Sequence, residues 1–398
     1  MAKYFMAADI LLPAGCDMGR WAVIACDQYT SDRAYWERVR AKALGVPSTL
    51  HMILPEAELA DADQHVIDNI NATMRAYLDG GVFQEYKTAY VYVERTLKNG
   101  AIRQGVVGML DLEHYEYDPS LYPKISATEN TVLERIPPRV AVRKDAELEL
   151  PHVLLLCNDA KQQLIEKIAV VKSRLPKLYE FDLMEGGGHI AGWLLCGPDA
   201  EAFEADLVAY EAENVYLVGD GNHSLVTAKT SYENLKASGE DLQNHPARYA
   251  LVELENVHSP AMAFEPIHRV ITQVDTAMLL HDLQEVCSPD GVCIPWIAGD
   301  EHGEIRLPVA EGELTVGVLQ DFLDQWLATH AGQIDYIHDL EAVTAFASVP
   351  DAIGFLLPAM PKSALFPFVQ TGRTLPRKTF SMGHGSEKRY YLEGRRIR

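Results

Sequence analysis

The chain has 398 residues, of which 48% are hydrophobic and 23% charged, and its formal net charge is −22. That length and balance describe a globular protein with a large core, divided into two or three domains. So acidic a chain excludes broad binding to duplex DNA, which needs a basic face; a small anion can still sit in a local pocket of Arg, Lys and main-chain N–H groups.

Residues 21–26 (Trp-Ala-Val-Ile-Ala-Cys) read as a buried strand opening into residues 27–32, where Thr30 or Ser31 is placed to cap a helix to about Leu44. Residues 50–54 read as a second strand, stopped by Pro55, and residues 60–79 as a helix closed by Gly80-Gly81. The clearest hairpin spans residues 87–97 and 101–113, with Asn99-Gly100 at its turn. Residues 114–150 are dense in charge and proline and are expected to loop over a surface. A βα alternation follows. Strands at 152–157, 189–196, 215–219 and 248–255 alternate with helical spacing around 164–175, 199–213 and 223–237. Beyond about residue 257 the pattern is mixed, with helices near 275–287 and 316–329, a strand near 352–357 and a basic tail. The expected class is α/β to α+β, with mixed sheets and flanking helices. Residues 1–256 form an N-terminal α/β region, and residues 257–398 an α+β region ending in the tail.

Six cysteines include no Cys-x-x-Cys pair, and several lie in apolar runs, so they read as reduced core thiols. The first residues lack the sustained apolar core of a signal peptide, and no apolar run is long enough for a membrane span. A cytoplasmic location is the default expectation, with no membrane partner.

The most informative stretch is residues 215–230, where a run of β-formers meets Gly219-Asp220-Gly221 and a helix follows from Asn222 and His223. A strand that turns into a helix through glycines leaves main-chain N–H groups pointing outward, which suits phosphate. Ser224 adds a hydroxyl donor, Asp220 suits Mg²⁺ shared with phosphate oxygens, and His223 suits proton handling or a phosphate contact. An ordinary capped turn reads from the same residues. Four further segments carry candidate chemistry. Residues 126–139 hold Glu129, Thr131, Arg135 and Arg139; a helix over 128–136 puts Thr131 and Arg135 on one face. Glu185-Gly-Gly-Gly-His189 allows close backbone approach to a ligand or to neighbouring chain. Asp27 and Asp32 follow a strand end, where a carboxylate can act as a base toward a hydroxyl or simply cap a helix. Residues 376–385 place Lys378, Thr379 and His384 as an anion-binding set or as surface cations. No Walker A, Rossmann, His-Glu-x-x-His or Gly-x-Ser-x-Gly motif occurs.

Taken in order, Ala25-Cys-Asp-Gln-Tyr-Thr-Ser31, Pro47-Ser-Thr-Leu50, Thr128-Glu-Asn-Thr131, the Gly-Gly-Gly-His run, Gly219-Asp-Gly-Asn-His223, Pro266-Ile-His-Arg269 and Pro376-Arg-Lys-Thr379 resemble the domain-of-unknown-function family 1015. The resemblance spans nearly the whole chain. It implies a relation to free serine kinases, which phosphorylate L-serine with ADP, and hence a ParB/sulfiredoxin-like nucleotide-binding core. It also implies that the turn at Asp220 binds phosphate. The more usual form of that motif is Asp-Gly-His-His-Arg; here Asn222 stands for the first His and Ser224 for the Arg, which removes a fixed cation.

The leading expectation is a small-molecule phosphotransferase with a nucleotide donor, ADP or ATP, and Mg²⁺ on Asp220. Gly219, Gly221, Asn222 and Ser224 would hold phosphate, with Thr131, Arg135, Arg139 and Lys378 lining the site. Asp27 or Glu129 would deprotonate the acceptor, with Asp220 and His223 at the reacting groups. One alternative is a nucleotide or phosphometabolite binding protein without turnover. Another is a metal-dependent phosphoester hydrolase using Asp220, His223 and His189.

Overall fold

The computed structural model describes residues 3–130, 136–150, 152–239 and 242–398, without the side chains of Asp27, Ala60 and Asp61. The chain divides into two compact units, Met1–Met262 with His384–Arg398, and Ala263–Gly383.

The first unit is built on one mixed sheet. Its strands are β1 (Phe5–Met6), β2 (Ala8–Pro13), β3 (Phe83–Thr96), β4 (Ile102–Asp111), β5 (Tyr115–Glu116), β6 (Ile125–Ser126), β8 (Leu154–Cys157), β9 (Lys177–Asp182), β10 (His189–Leu195), β11 (Tyr216–Asp220) and β12 (Tyr249–Asn256), while β7 (Leu148–Glu149) lies apart from it. The order is β5-β6-β11-β8-β12-β4-β3-β10-β9, with β1 on β4 and β2 on β3. The pairs β5/β6, β6/β11 and β8/β12 are parallel, and the rest are antiparallel. The helices are α1 (Met18–Trp21), α2 (Arg33–Ala43), α3 (Gln64–Asp79), α4 (Ile136–Lys144), α5 (Glu166–Val171), α6 (Gly197–Glu213) and α7 (Asn222–Ala237).

Alternation along the strands explains why both faces of this sheet are covered. Tyr90 and Tyr92 of β3 pack with Phe203 and Leu207 of α6 and Leu225 and Tyr232 of α7 on one side. Val91 and Val93 pack with Trp21, Trp36, Ile70 and Met74, from α1, α2 and α3, on the other. Each such fully buried side chain contributes about 1.5–3 kcal/mol. The turn at Asn99-Gly100 closes β3 on β4 as the sequence implies, in register Val91↔Val107 to Thr96↔Ile102.

The second unit holds β13 (Phe264–Pro266), β14 (His268–Thr272), β15 (Val292–Ala298), β16 (Glu301–Leu307), β17 (Gln333–Ile337), β18 (Ala352–Phe355) and β19 (Phe380–Met382), with α8 (Thr276–Glu285), α9 (Thr315–Leu327), α10 (Leu340–Ala347) and α11 (Lys362–Val369). Its larger sheet runs β16-β15-β18-β14-β17, antiparallel throughout, and β13 pairs with β19. Ile271, Leu279, Leu319, Leu323 and Phe355 form its core.

The last residues return to the first unit, where β20 (Arg395–Arg396) pairs with β7. Main-chain bonds tie Gly394 to Leu11 and Tyr391 to Val23. Of the tail's cations, Lys388, Arg389 and Arg395 are buried, while Arg373, Arg377, Arg396 and Arg398 stay exposed. Arg389 donates to Glu253 and Glu393, both at 2.8 Å, and Arg395 pairs with Glu149 at 2.8 Å. Buried Arg95 of β3 donates to the carbonyls of Gly187, Ser386, Glu387 and Lys388, and Arg103 of β4 to that of Glu387.

The fold is mixed α/β, as the periodicities predict, but several local elements differ. Residues 50–54 form no strand: Thr49–Met52 is a 3-10 turn, because Ser48 and Thr49 spend their hydroxyls on the carbonyl of Trp21. Residues 21–25 are buried and Cys26 is half-buried, but only Val23 bridges, to Tyr391. Asp32, rather than Thr30 or Ser31, caps α2 by accepting from Tyr35 N at 2.9 Å. The 114–150 stretch is not a surface loop: it supplies β5, β6, α4 and β7, and Tyr115, Ile125, Ser126, Ala127 and Thr128 are buried.

Candidate functional site

β11 runs between β6 and β8 and ends at Asp220, where the chain turns into α7 through Gly221. Gly221 has φ +84°, the left-handed region that favours glycine. A Cβ there would meet Val153 at 3.0 Å, so the position is closed both by conformation and by space. Gly221 caps α7 with no side-chain hydrogen bond, and the first main-chain bond of the helix runs from Leu225 N to Gly221 O. Hydrogen bonding within the helix therefore begins only at Leu225. Gly219, Asp220, Gly221, His223 and Ser224 are half-buried, and Asn222 is buried.

The neighbouring side chains fix this turn. Asp220 Oδ1 accepts from Gly221 N at 2.8 Å, and Oδ2 lies 3.1 Å from Lys388 Nζ. Asn222 faces Thr128: its Oδ1 accepts from Thr128 N and its Nδ2 donates to Thr128 Oγ1, both at 3.4 Å. Thr128 Oγ1 in turn donates to Val218 O at 2.7 Å. Glu129 is the next residue and is half-buried. The carbonyl of His223 accepts from Thr227 Oγ1 at 2.7 Å.

α4 packs against α7 and brings Arg139 to an ion pair with Glu56. The 3-10 turn Glu56–Asp61 packs against the turn Asp27–Tyr29, which follows Cys26. His152, just before β8, holds its ring 4.9 Å from that of Tyr391, tilted by 53°. Burial pushes the His152 imidazole down to about 4; Asp220 and Glu56 pull against that shift, and Arg139 and Arg389 reinforce it. His152 is thus neutral at pH 7. Burial likewise pushes the Tyr391 hydroxyl up, with Arg139 opposing and Cys26, Glu56 and Asp220 adding to the rise.

Of the residues singled out from sequence, Asp220, Gly221, Asn222, Ser224 and, through Thr128, Glu129 gather at this turn. Arg139 belongs to the same electrostatic neighbourhood. Thr131 and Arg135 lie outside the described residues, as does the side chain of Asp27. Lys378 belongs to the second unit, where its carbonyl accepts from Arg269 Nη1 at 2.9 Å and its own φ is +55°. The glycine run serves neighbouring chain: Gly188, at φ +83°, would put a Cβ 2.2 Å from Thr96 O. His189 pairs with Asp182 at 2.8 Å and lies 3.5 Å from Glu180. Four strands separate β10 from β11, roughly 24 Å at 4.8 Å per strand. His189 and Asp220 therefore cannot share one metal ion, which removes that ligand set from the hydrolase alternative. Among the described residues no group of three or more His, Cys, Asp or Glu gathers as a metal site. Lys388, which pairs with Asp220, and Glu56, His152 and Tyr391 around it were not foreseen, since each comes from a distant segment with no periodic signal of its own.

The chain belongs to the family described as protein of unknown function (DUF1015), which it matches over residues 12–394. No curated protein matches it. Among solved structures it is similar to a free serine kinase variant in complex with ADP, at 12% identity over 75% of this chain and 94% of that one, with a TM-score of 0.39. It is also similar to a conserved hypothetical protein from Pyrococcus furiosus (12% identity, 71% and 90% covered, TM-score 0.33). A third is SbnI with a C-terminal truncation from Staphylococcus aureus (10% identity, 70% and 82% covered, TM-score 0.36). These likenesses assign no activity to the chain. Among the described residues no helix is long and apolar enough to cross a membrane.

Proposed function

We propose that this member of the family binds a nucleotide through its phosphates at the Gly219–Ser224 turn and transfers a phosphoryl group to a small hydroxyl compound. The observation that carries the reading is the start of α7: a left-handed glycine, no side-chain cap, and half-buried flanking residues. Phosphate oxygens are the natural acceptors for N–H groups so placed, and the helix dipole adds to the attraction. Arg139, ion-paired with Glu56 and close enough to perturb His152, adds positive charge to this neighbourhood.

Asp220 fits a site for Mg²⁺, since this ion is commonly held by one or two carboxylates and the phosphates of the substrate. When bound, Mg²⁺ would neutralise charge developing on the phosphate oxygens. The chain's own part is placement. The acceptor hydroxyl oxygen attacks the terminal phosphorus, the bond from phosphorus to the bridging oxygen breaks, and the hydroxyl proton passes to Glu129 or Asp27. Neutral His152 lines the turn without adding a second cation. The resemblance in sequence makes L-serine the first acceptor to try.

The test is consumption of ADP or ATP with Mg²⁺, with and without L-serine and a panel of amino-acid and polyol acceptors. Acceptor-dependent turnover supports transfer, and no turnover with any acceptor contradicts it. A second reading, binding of a nucleotide or phosphometabolite without transfer, draws on Ser224 standing where the more usual motif has an Arg, which removes a fixed cation from the phosphate site. Ligand-dependent thermal stabilisation without turnover would select that reading.

A further inference from the structure

Asp220 is held from two sides by parts of the chain that are remote in sequence. One carboxylate oxygen accepts from the N–H of Gly221 at 2.8 Å, which ties it to the turn itself. The other lies 3.1 Å from the ammonium of Lys388, a residue of the segment that rejoins the first unit after the second is complete. The Lys388 side chain is only 11% exposed, against 29% for Asp220, so this is a shielded pair and not a solvated surface contact.

The backbone that carries Lys388 is itself fastened. Its carbonyl accepts from Arg95 Nη1 at 2.7 Å, and the carbonyl before it accepts from Arg95 at 3.0 Å and from Arg103 at 2.7 Å. Arg389, the next residue, is buried between Glu253 and Glu393. The ammonium is thus delivered from a rigid support. Residues of this kind set geometry, because a carboxylate whose two oxygens are both engaged has little rotational freedom left.

We propose that Lys388 is a positioning residue for Asp220, so that the C-terminal segment completes the ligand site of the first unit. The inference rests on the nucleotide-binding reading given above. Lys388 acts through Asp220: it holds the carboxylate in the orientation in which its remaining lone pairs meet a cation carried by the bound phosphates. Seating of residues 384–398 and assembly of the site are then one event.

The experiment is calorimetric titration of the full chain with ADP and Mg²⁺, for wild type and for Lys388→Gln, Lys388→Arg, Asp220→Asn and the Lys388→Gln/Asp220→Asn pair, each checked for folding by thermal unfolding. The expected result is affinity about 10-fold weaker in Lys388→Gln, largely restored in Lys388→Arg, with the pair no weaker than Asp220→Asn alone. Magnesium-free titrations should show little difference between wild type and Lys388→Gln, which a merely structural role would not produce. If wild type binds and Lys388→Gln binds as tightly, the positioning role is overturned while the nucleotide reading stands. If wild type takes up no ADP with or without Mg²⁺, both fall. Should Lys388→Gln fail to fold, Lys388→Arg and the Asp220→Asn titrations decide: Mg²⁺-dependent affinity retained in Asp220→Asn overturns the role.

Discussion

The imidazole of His152 lies 4.9 Å from the ring of Tyr391, tilted by 53°, so a residue just before β8 and one from the returning C-terminal segment meet within the electrostatic reach of Asp220. Burial dominates that imidazole and holds it near 4, despite the carboxylates of Asp220 and Glu56. A proton-detected titration of His152 should show a neutral ring down to about pH 5. A midpoint near the ordinary value of about 6.5 would contradict this.

The same shift makes a stability prediction. The unfolded chain takes up this proton near 6.5 and the folded chain only near 4, so the contribution is present above 6.5 and lost as pH falls through that window. His152→Gln should lose stability less steeply than wild type between those limits in urea unfolding series. Parallel curves would remove His152 from the acid response.

Glu255 behaves in the opposite sense. Burial on β12 raises its carboxyl to about 7; Glu253 adds to the rise, and Arg103, Arg95 and Arg389 oppose it. The folded state holds this proton where the unfolded state has released it, so stability falls as pH rises from about 4.5 to about 7, by at most about 1.4 kcal/mol per unit. Unfolding free energies of Glu255→Gln should lack that component. A wild-type and variant difference that is flat across the window would show that Glu255 titrates normally.

Arg95→Met should destabilise the first unit by about 3 kcal/mol or more, because the carbonyls of Gly187, Ser386 and Lys388 lose their donor together and that of Glu387 is left with Arg103. Limited proteolysis should cut within residues 384–398 earlier than in wild type. A loss below about 1 kcal/mol with unchanged cleavage would show that the segment is held by other contacts.

Much of this was readable from local pattern. Asn99-Gly100 between alternating runs gives the β3–β4 hairpin, and Gly219-Asp220-Gly221 between β-formers and a helical run gives the turn. What stayed hidden depends on partners far along the chain. Residues 50–54 look like a strand until Trp21 offers its carbonyl to Thr49, and Lys388 reads as one of many tail cations until Asp220 is placed 3.1 Å away. The arginines of the tail look solvated by composition, yet Arg389 and Arg395 are buried because Glu253, Glu393 and Glu149 wait for them on strands and on the segment itself.

Gly221→Ala tests the turn directly. A Cβ at φ +84° would be strained and would press on Val153, costing about 1–2 kcal/mol. Because the strain falls at the start of α7, nucleotide affinity should drop more than stability does. Equal affinity in a folded Gly221→Ala variant would separate the ligand from the turn.

The central claim is that main-chain amides of Asn222, His223 and Ser224 receive a phosphate group. Amide-resolved NMR of the selectively labelled full chain, titrated with ADP and Mg²⁺, measures it most directly. The account predicts saturable downfield shifts of these three amides, larger than elsewhere in the first unit. Saturable shifts elsewhere with these amides unmoved, or no shift at millimolar ADP, would contradict it.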